Sequence, residues 1–175
     1  MRRLRYNVAM SLDGFIAGHK GEYDWIVDDR TIDFNSLFGE FDTLLMGRRT
    51  YEVLREQDPS GPASRMNIVV VSSTMRPSDH PGVTIIGQDV VKTVTALKAA
   101  TGKDIWLFGG GVLFRGLLDA GLVDTVEVAV MPVLLGGGIP LLPSGQRVEG
   151  LRLISSKALP SGIVMLAYEM AWNNA

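Results

Sequence analysis

Three stretches of this sequence put glycine, hydroxyl and cationic side chains directly after apolar runs. The first is Ile105-Trp-Leu-Phe-Gly109-Gly110-Gly111-Val112-Leu113-Phe114. Glycine lacks Cβ, so this backbone can come close to a ligand. A helix opening after the glycines would aim free N–H groups and a positive dipole end at an anion such as pyrophosphate. A tight turn needing glycine only for its backbone is the plainer alternative. Positions 112 to 114 are Val, Leu and Phe, so the stretch is not G-x-G-x-x-G. Nor is there a Walker A loop, because Gly102-Lys103 is followed by Asp104.

The second stretch is Leu44-Leu-Met-Gly47-Arg48-Arg49-Thr50-Tyr51-Glu52. Arginine at a helix start opposes the dipole, so two there suggest an anionic partner; solvated arginines and a threonine cap are the alternative. The third, Val70-Val71-Ser72-Ser73-Thr74-Met75-Arg76, offers hydroxyls and then a cation. Ser73 and Arg76 could take a nucleotide 2′-phosphate; taken alone, the segment also reads as a polar loop.

Carboxylates supply the other candidate chemistry. Asp13-Gly14 is a strong turn signal, and a turn former is its plain reading. Beyond Trp25 lie Asp28, Asp29 and Asp33. Asp29 and Asp33 are four apart and would share a helix face, where like charge and partial burial would raise a carboxyl toward neutral pH. Asp29 is the candidate acid catalyst on this reading. Helix capping by Asp28 or Asp29 competes with it. There is no G-x-S-x-G. His19 and His80, the two histidines, both fall in loops and read as solvent-exposed.

These residues need a scaffold, and the hydropathy pattern supplies one. Strands are expected at Leu4–Met10, Thr43–Met46, Ile68–Val71, Val83–Ile86, Asp104–Phe108 and Val123–Val130. Helices are expected at Thr31–Phe38, Arg48–Glu56, Asp89–Ala100 and Val112–Ala120, the last two stopped by Gly102 and Gly121. Leu151–Lys157 and Ile163–Met170 flank Pro160-Ser-Gly162 as a terminal hairpin. Asp58–Ser64 and Pro77–Gly82 are loops by composition. Alternating strands and helices with a β-rich tail argue for one α/β domain over residues 1–175. Its expected form is a three-layer sandwich, a mainly parallel sheet with an antiparallel C-terminal edge hairpin. Ligands of such sheets bind at the strand C-terminal ends, just after Met10, Met46, Val71 and Phe108.

Composition narrows the function. The 175 residues are 46% hydrophobic and 21% charged, the balance of a globular protein. Seventeen Lys and Arg against nineteen Asp and Glu give a net charge of −2, which excludes a general polyanion binder. The absence of Cys excludes a disulfide framework, a thiolate nucleophile and a Cys-ligated metal. Val8–Leu12 is too short for a signal peptide core, and no uncharged apolar run approaches the roughly 18 residues of a membrane span, so a cytoplasmic location is expected.

Five phrases, in order along nearly the whole chain, carry a family resemblance. They are Val8-Ala-Met-Ser-Leu-Asp-Gly-Phe-Ile-Ala17, Leu45-Met-Gly-Arg-Arg-Thr-Tyr-Glu52, Ile68-Val-Val-Val-Ser-Ser73, Leu107-Phe-Gly-Gly-Gly-Val-Leu-Phe114 and Met131-Pro-Val-Leu-Leu-Gly-Gly-Gly-Ile-Pro-Leu141. The chain resembles the dihydrofolate reductase-like superfamily. It is most similar to the branch holding the C-terminal reductase domain of the riboflavin-biosynthesis deaminase-reductase. The resemblance implies an NADPH-dependent reductase of a small pteridine-like or pyrimidine-ribosyl-like substrate, in a homodimer. It implies Ala9, Ile16 and Gly18 at the nicotinamide end, and Gly47, Arg48 and Thr50 on the phosphates. Ser72, Ser73 and Arg76 would take the 2′-phosphate side. Gly109, Gly110, Gly111, Val112 and Leu113 would carry the pyrophosphate and nicotinamide ribose. A nucleotide-binding protein of the same fold without turnover is the alternative. Phe34 and Phe38 would line the substrate pocket or belong to the core.

Overall fold

The computed structural model describes residues 1–57 and 61–172. The expected loop at Asp58–Ser64 falls partly outside them; its remainder includes a single 3-10 turn, Pro62–Arg65. The strands are β1 (Leu4–Ser11), β2 (Phe15–Ala17), β3 (Phe41–Gly47), β4 (Asn67–Val71), β5 (Val83–Ile86), β6 (Asp104–Gly109), β7 (Thr125–Met131), β8 (Ile139–Pro140), β9 (Leu151–Ala158) and β10 (Val164–Met170). The helices are α1 (Phe34–Gly39), α2 (Arg48–Gln57), α3 (Val90–Ala99) and α4 (Gly111–Asp119). Eight strands form one sheet in the order β5-β4-β3-β6-β1-β7-β10-β9. Every pairing from β5 to β7 is parallel; β10 is antiparallel to both β7 and β9.

The central strands are buried on both faces, which explains their unbroken apolar runs. Side chains alternate between faces along a strand. Leu45, Val69, Ile105 and Leu107 enter one core with Val94 of α3 and Phe114 and Leu117 of α4. Leu44, Met46, Val70 and Trp106 enter another with Tyr51 of α2, and Leu37 and Phe38 of α1 pack on it. Adjacent residues of one strand thus feed opposite cores, which is the three-layer sandwich. Each fully buried Leu or Ile contributes about 1.5–3 kcal/mol.

The structure corrects three expectations. The first helix begins at Phe34, with Asp33 as its cap: the Asp33 carboxylate accepts from the Ser36 amide at 3.0 Å. Asp29 lies outside the helix, so Asp29 and Asp33 share no helix face. The small antiparallel pair β2–β8 has no counterpart in the sequence reading. His80 is half-buried against Tyr51, its Nδ1 3.3 Å from the phenolic oxygen. Among the described residues, no helix is long and apolar enough to cross a membrane.

Candidate functional site

Four parallel neighbours, β4, β3, β6 and β1, end on the same edge of the sheet. Register sets their ends side by side: Gly47 pairs with Val71, and Met46 with Gly109. Ser72, Arg48 and Gly110 therefore follow three adjacent strand ends. Between β3 and β6 the register slips by one residue at Phe108, a bulge of the kind that re-aims backbone beside a site.

The turns after β3 and β6 touch. A Cβ on Gly109 would lie 3.0 Å from Thr50 Cγ2, and one on Gly110 would lie 3.8 Å from Thr50 Oγ1 and 4.0 Å from the Gly47 amide nitrogen. Gly110 has φ +98°, which an L side chain rarely adopts, so glycine is required for the turn itself. Over Gly47, by contrast, a Cβ would meet nothing within 4 Å. The nine-residue α4 starts with no side-chain cap and no acidic residue in its first turn, leaving its leading N–H groups free for an anion. Val112 in that turn is 80% exposed and Leu113 half-buried. Arg48 and Arg49 are exposed at the start of α2, and Arg48 meets Glu52 only loosely, at 3.7 Å. Glycine cradle, uncapped helix amides and weakly neutralised guanidinium fit a dinucleotide diphosphate.

Within the third turn the residues divide. Ser72 is buried, and its hydroxyl accepts from the Thr74 and Met75 amides at 3.3 and 3.1 Å, shaping the turn. Ser73 and Arg76 are exposed.

Beyond β6 the sheet opens. β1 pairs with β6 only over Leu4–Tyr6, yet continues along β7 to Ser11. A gap therefore parts the C-terminal ends of β1 and β6, with Ala9 on its β1 side. Ile16 on β2 is half-buried nearby in sequence, and Gly18 is buried in a turn closed by its amide donating to the Glu22 carbonyl at 2.8 Å. Phe34 is 48% exposed, whereas Phe38 tilts against Trp106 with centroids 5.3 Å apart.

Toward the N-terminal ends of β1 and β7, where β1 still pairs with β6, lies a polar network that sequence reasoning missed. Arg5 donates from Nε and Nη2 to the two oxygens of Glu127 at 2.7 and 2.8 Å. Asn7 and Thr125 donate to the same carboxylate at 3.0 and 2.7 Å. Burial pushes the Glu127 carboxyl up, but these donors outweigh it and hold it below its usual range. Their signal was available: polar side chains at alternate positions of two otherwise apolar strands.

Asp29 behaves differently from the expected acid. Its side chain is buried, with one oxygen accepting from the Thr31 amide and hydroxyl at 2.8 and 2.5 Å. Ser161 and Thr31 hold the carboxyl down to about 2. Oδ2 is buried with no hydrogen-bond partner among the described residues. Hydrogen bonding to the charged form, not like-charge repulsion, sets this group. A groove of about 390 Å³ lies elsewhere, on the flank of α4 among Phe114, Leu118, Val126, Leu142, Val148 and Met170. It is lined mainly by apolar side chains, and Leu141 and Pro143 of its lining lie beside Gly111.

Residues 2–165 match the RibD C-terminal domain. The chain belongs to that family. A Bacillus subtilis (strain 168) relative, the uncharacterized protein YyaP, is 32% identical over 98% of this chain and 96% of its own. A protein of Shewanella sp. PV-4 described as a riboflavin biosynthesis protein superposes with TM-score 0.81 at 27% identity, covering 97% of this chain and 98% of that one. Dihydrofolate reductase from Enterococcus faecalis, solved with NADP(H), superposes with TM-score 0.68 at 17% identity over 95% of each chain. The fold is thus that of dihydrofolate reductase, and membership of the RibD C-terminal family supports a reductase-type activity.

Proposed function

We propose that this protein is an NADPH-dependent reductase delivering hydride to a small pteridine-like or pyrimidine-ribosyl-like substrate. The observation that carries the reading is the contact of Thr50 with Gly109 and Gly110, where two strand-to-helix turns meet at one point. Gly47, Arg48 and Thr50 hold the phosphates with Gly109, Gly110, Gly111, Val112 and Leu113. Ser73 and Arg76 take the 2′-phosphate, on a turn that Ser72 shapes. The nicotinamide end lies along Ala9, Ile16 and Gly18, at the gap between β1 and β6.

The reduced nicotinamide supplies the hydride when bound; this chain's residues bind, orient and exclude water. Asp29 enters as an ionised carboxylate that accepts hydrogen bonds at neutral pH, not as the proton donor. The chain acts as a cytoplasmic homodimer joined through β9, the outermost strand, whose eight residues are all exposed.

Titration with NADPH, read by Trp106 fluorescence and thermal shift, tests the reading. Saturation at a hundredfold excess over the dissociation constant stabilises the fold by about 2.7 kcal/mol. No shift and no quenching with NADPH would remove the cofactor assignment. Binding without oxidation in the presence of dihydrofolate or pyrimidine ribosyl compounds would favour the non-catalytic alternative.

A further inference from the structure

Asp13 does more than form the Asp-Gly turn that its sequence suggests. Its carboxylate accepts the Ser11 hydroxyl at 2.6 Å, closing the local turn. It also accepts the Leu135 amide at 3.1 Å and the Gly136 amide at 2.7 Å, from residues 122 and 123 positions away. These distant bonds join the segment after β1 to the segment after β7. The same two segments are laced by the Leu12 amide donating to the Val133 carbonyl at 2.8 Å and the Leu141 amide donating to the Gly14 carbonyl at 2.9 Å. They then pair as β2–β8, Phe15 opposite Pro140 and Ala17 opposite Ile139.

Backbone geometry shows how tightly the segments fit. A Cβ on Gly138 would lie 2.2 Å from the Ala17 carbonyl oxygen, and Gly136 and Gly138 have φ of +71° and +145°. The unit reaches the helix that opens at the glycine turn: a Cβ on Gly111 would lie 2.8 Å from the Pro140 carbonyl oxygen. A continuous run of contacts therefore leads from Asp13 through Leu135–Pro140 to the start of α4. Ile16 and Gly18 ride on the other segment of the same unit.

We propose that Asp13 is a positioning residue that clamps the β1–β2 segment onto the β7–β8 segment and so fixes the wall at the nicotinamide end of the cleft. It touches no cofactor itself. The inference rests on the NADPH reading, and it concerns only one end of that molecule. Adenosine 2′,5′-bisphosphate, which carries the 2′-phosphate end and no nicotinamide, separates the two.

The test measures binding of NADPH and of adenosine 2′,5′-bisphosphate to wild type, Asp13→Ala and Asp13→Asn, with hydrogen exchange at the Leu135 and Gly136 amides. Asp13→Ala should weaken NADPH about tenfold, leave the bisphosphate within twofold, and expose both amides to exchange. Asp13→Asn keeps one acceptor oxygen and should recover most of the NADPH affinity. Equal weakening of both ligands, unchanged NADPH binding, or persistent protection of both amides in Asp13→Ala would each overturn the clamp. Wild type failing to bind either ligand would instead overturn the cofactor reading, and the clamp's role in it. Should Asp13→Ala not fold, Ser11→Ala with Asp13→Asn carries the same comparison.

Discussion

Thr50 lies against Gly109 so closely that a methyl group in place of the glycine hydrogen would sit 3.0 Å from Thr50 Cγ2 and 3.2 Å from Oγ1. This contact locks the start of α2 to the end of β6, and it predicts a coupled pair. Gly109→Ala must push Thr50 aside by a few tenths of an ångström and should weaken NADPH binding severalfold. Thr50→Ser removes the Cγ2 in the way. The double variant should therefore bind better than additivity of the two single changes predicts, as contacting residues do. Strict additivity of the binding free energies in a double-mutant cycle would show that the contact does not transmit to the ligand.

Arg48 opens α2 with its side chain about half exposed and only a long contact to Glu52. A cation so weakly neutralised at the proposed phosphate turn should act mainly by charge. Arg48→Ala should weaken NADPH about tenfold, about 1.4 kcal/mol. Exposed charges are screened over about 10 Å at 0.1 M salt, so the deficit should shrink as salt rises. A deficit independent of salt would point to lost packing instead.

Asp29 has its carboxyl held at about 2, below its ordinary 3.8, by Ser161 and Thr31. A depressed folded value means that the stabilisation is complete above the ordinary value and disappears as pH falls toward about 2. Acid unfolding of wild type should thus steepen below pH 3.8, and Asp29→Asn should flatten that limb. In turnover, the same variant should change KM without removing an acid limb near neutral pH. An acid limb near neutrality that vanishes in Asp29→Asn would restore Asp29 as proton donor.

Tyr6 is fully buried, its ring stacked on Phe114 with centroids 3.8 Å apart, and its hydroxyl has no hydrogen-bond partner among the described residues. Burial accordingly pushes the phenol above its usual range. An unpartnered buried hydroxyl costs about 1–3 kcal/mol. Tyr6→Phe should therefore keep or raise the melting temperature, whereas Tyr6→Ala should cost about 3–5 kcal/mol through the cavity it leaves. A clear loss of stability in Tyr6→Phe would mean that the hydroxyl is bonded after all.

What the sequence made readable was periodic or local. Ile68–Val71 stands in β4 where four apolar β-forming residues in a row required a strand covered on both faces, and α3 follows the spacing of Val90, Val94 and Leu97. The approach of Gly47 to Gly110 was also readable, since parallel strands in one sheet end together. The first helix was misjudged at its start because Asp33 outcompetes Asp28 and Asp29 for the cap, while Asp29 spends its carboxylate on Thr31. β2 and β8 are three and two residues long, too short to show alternation. The distant partners of Asp13 and Glu127 escaped for a different reason: polar side chains at alternate strand positions mark a network, but bonds to Leu135, Gly136, Arg5 and Asn7 span more than a hundred positions, and residue type alone carries no distance.

β9 makes one ladder, with β10, and its other edge is unpaired among the described residues. Leu151, Leu153 and Ile154 are 49%, 50% and 51% exposed on it. An open edge with apolar side chains invites strand pairing, and folded proteins usually protect such edges. Arg152 and Lys157 are the charges on this strand, too few to blunt it. A second copy of the chain is therefore expected against β9, burying these apolar side chains. Sedimentation should give a dimer for wild type and a monomer for Leu151→Glu with Leu153→Glu, the unfolding midpoint of the monomer lying lower because the interface no longer contributes. A monomeric wild type at micromolar concentration would leave the edge solvent-exposed and the homodimer reading without support.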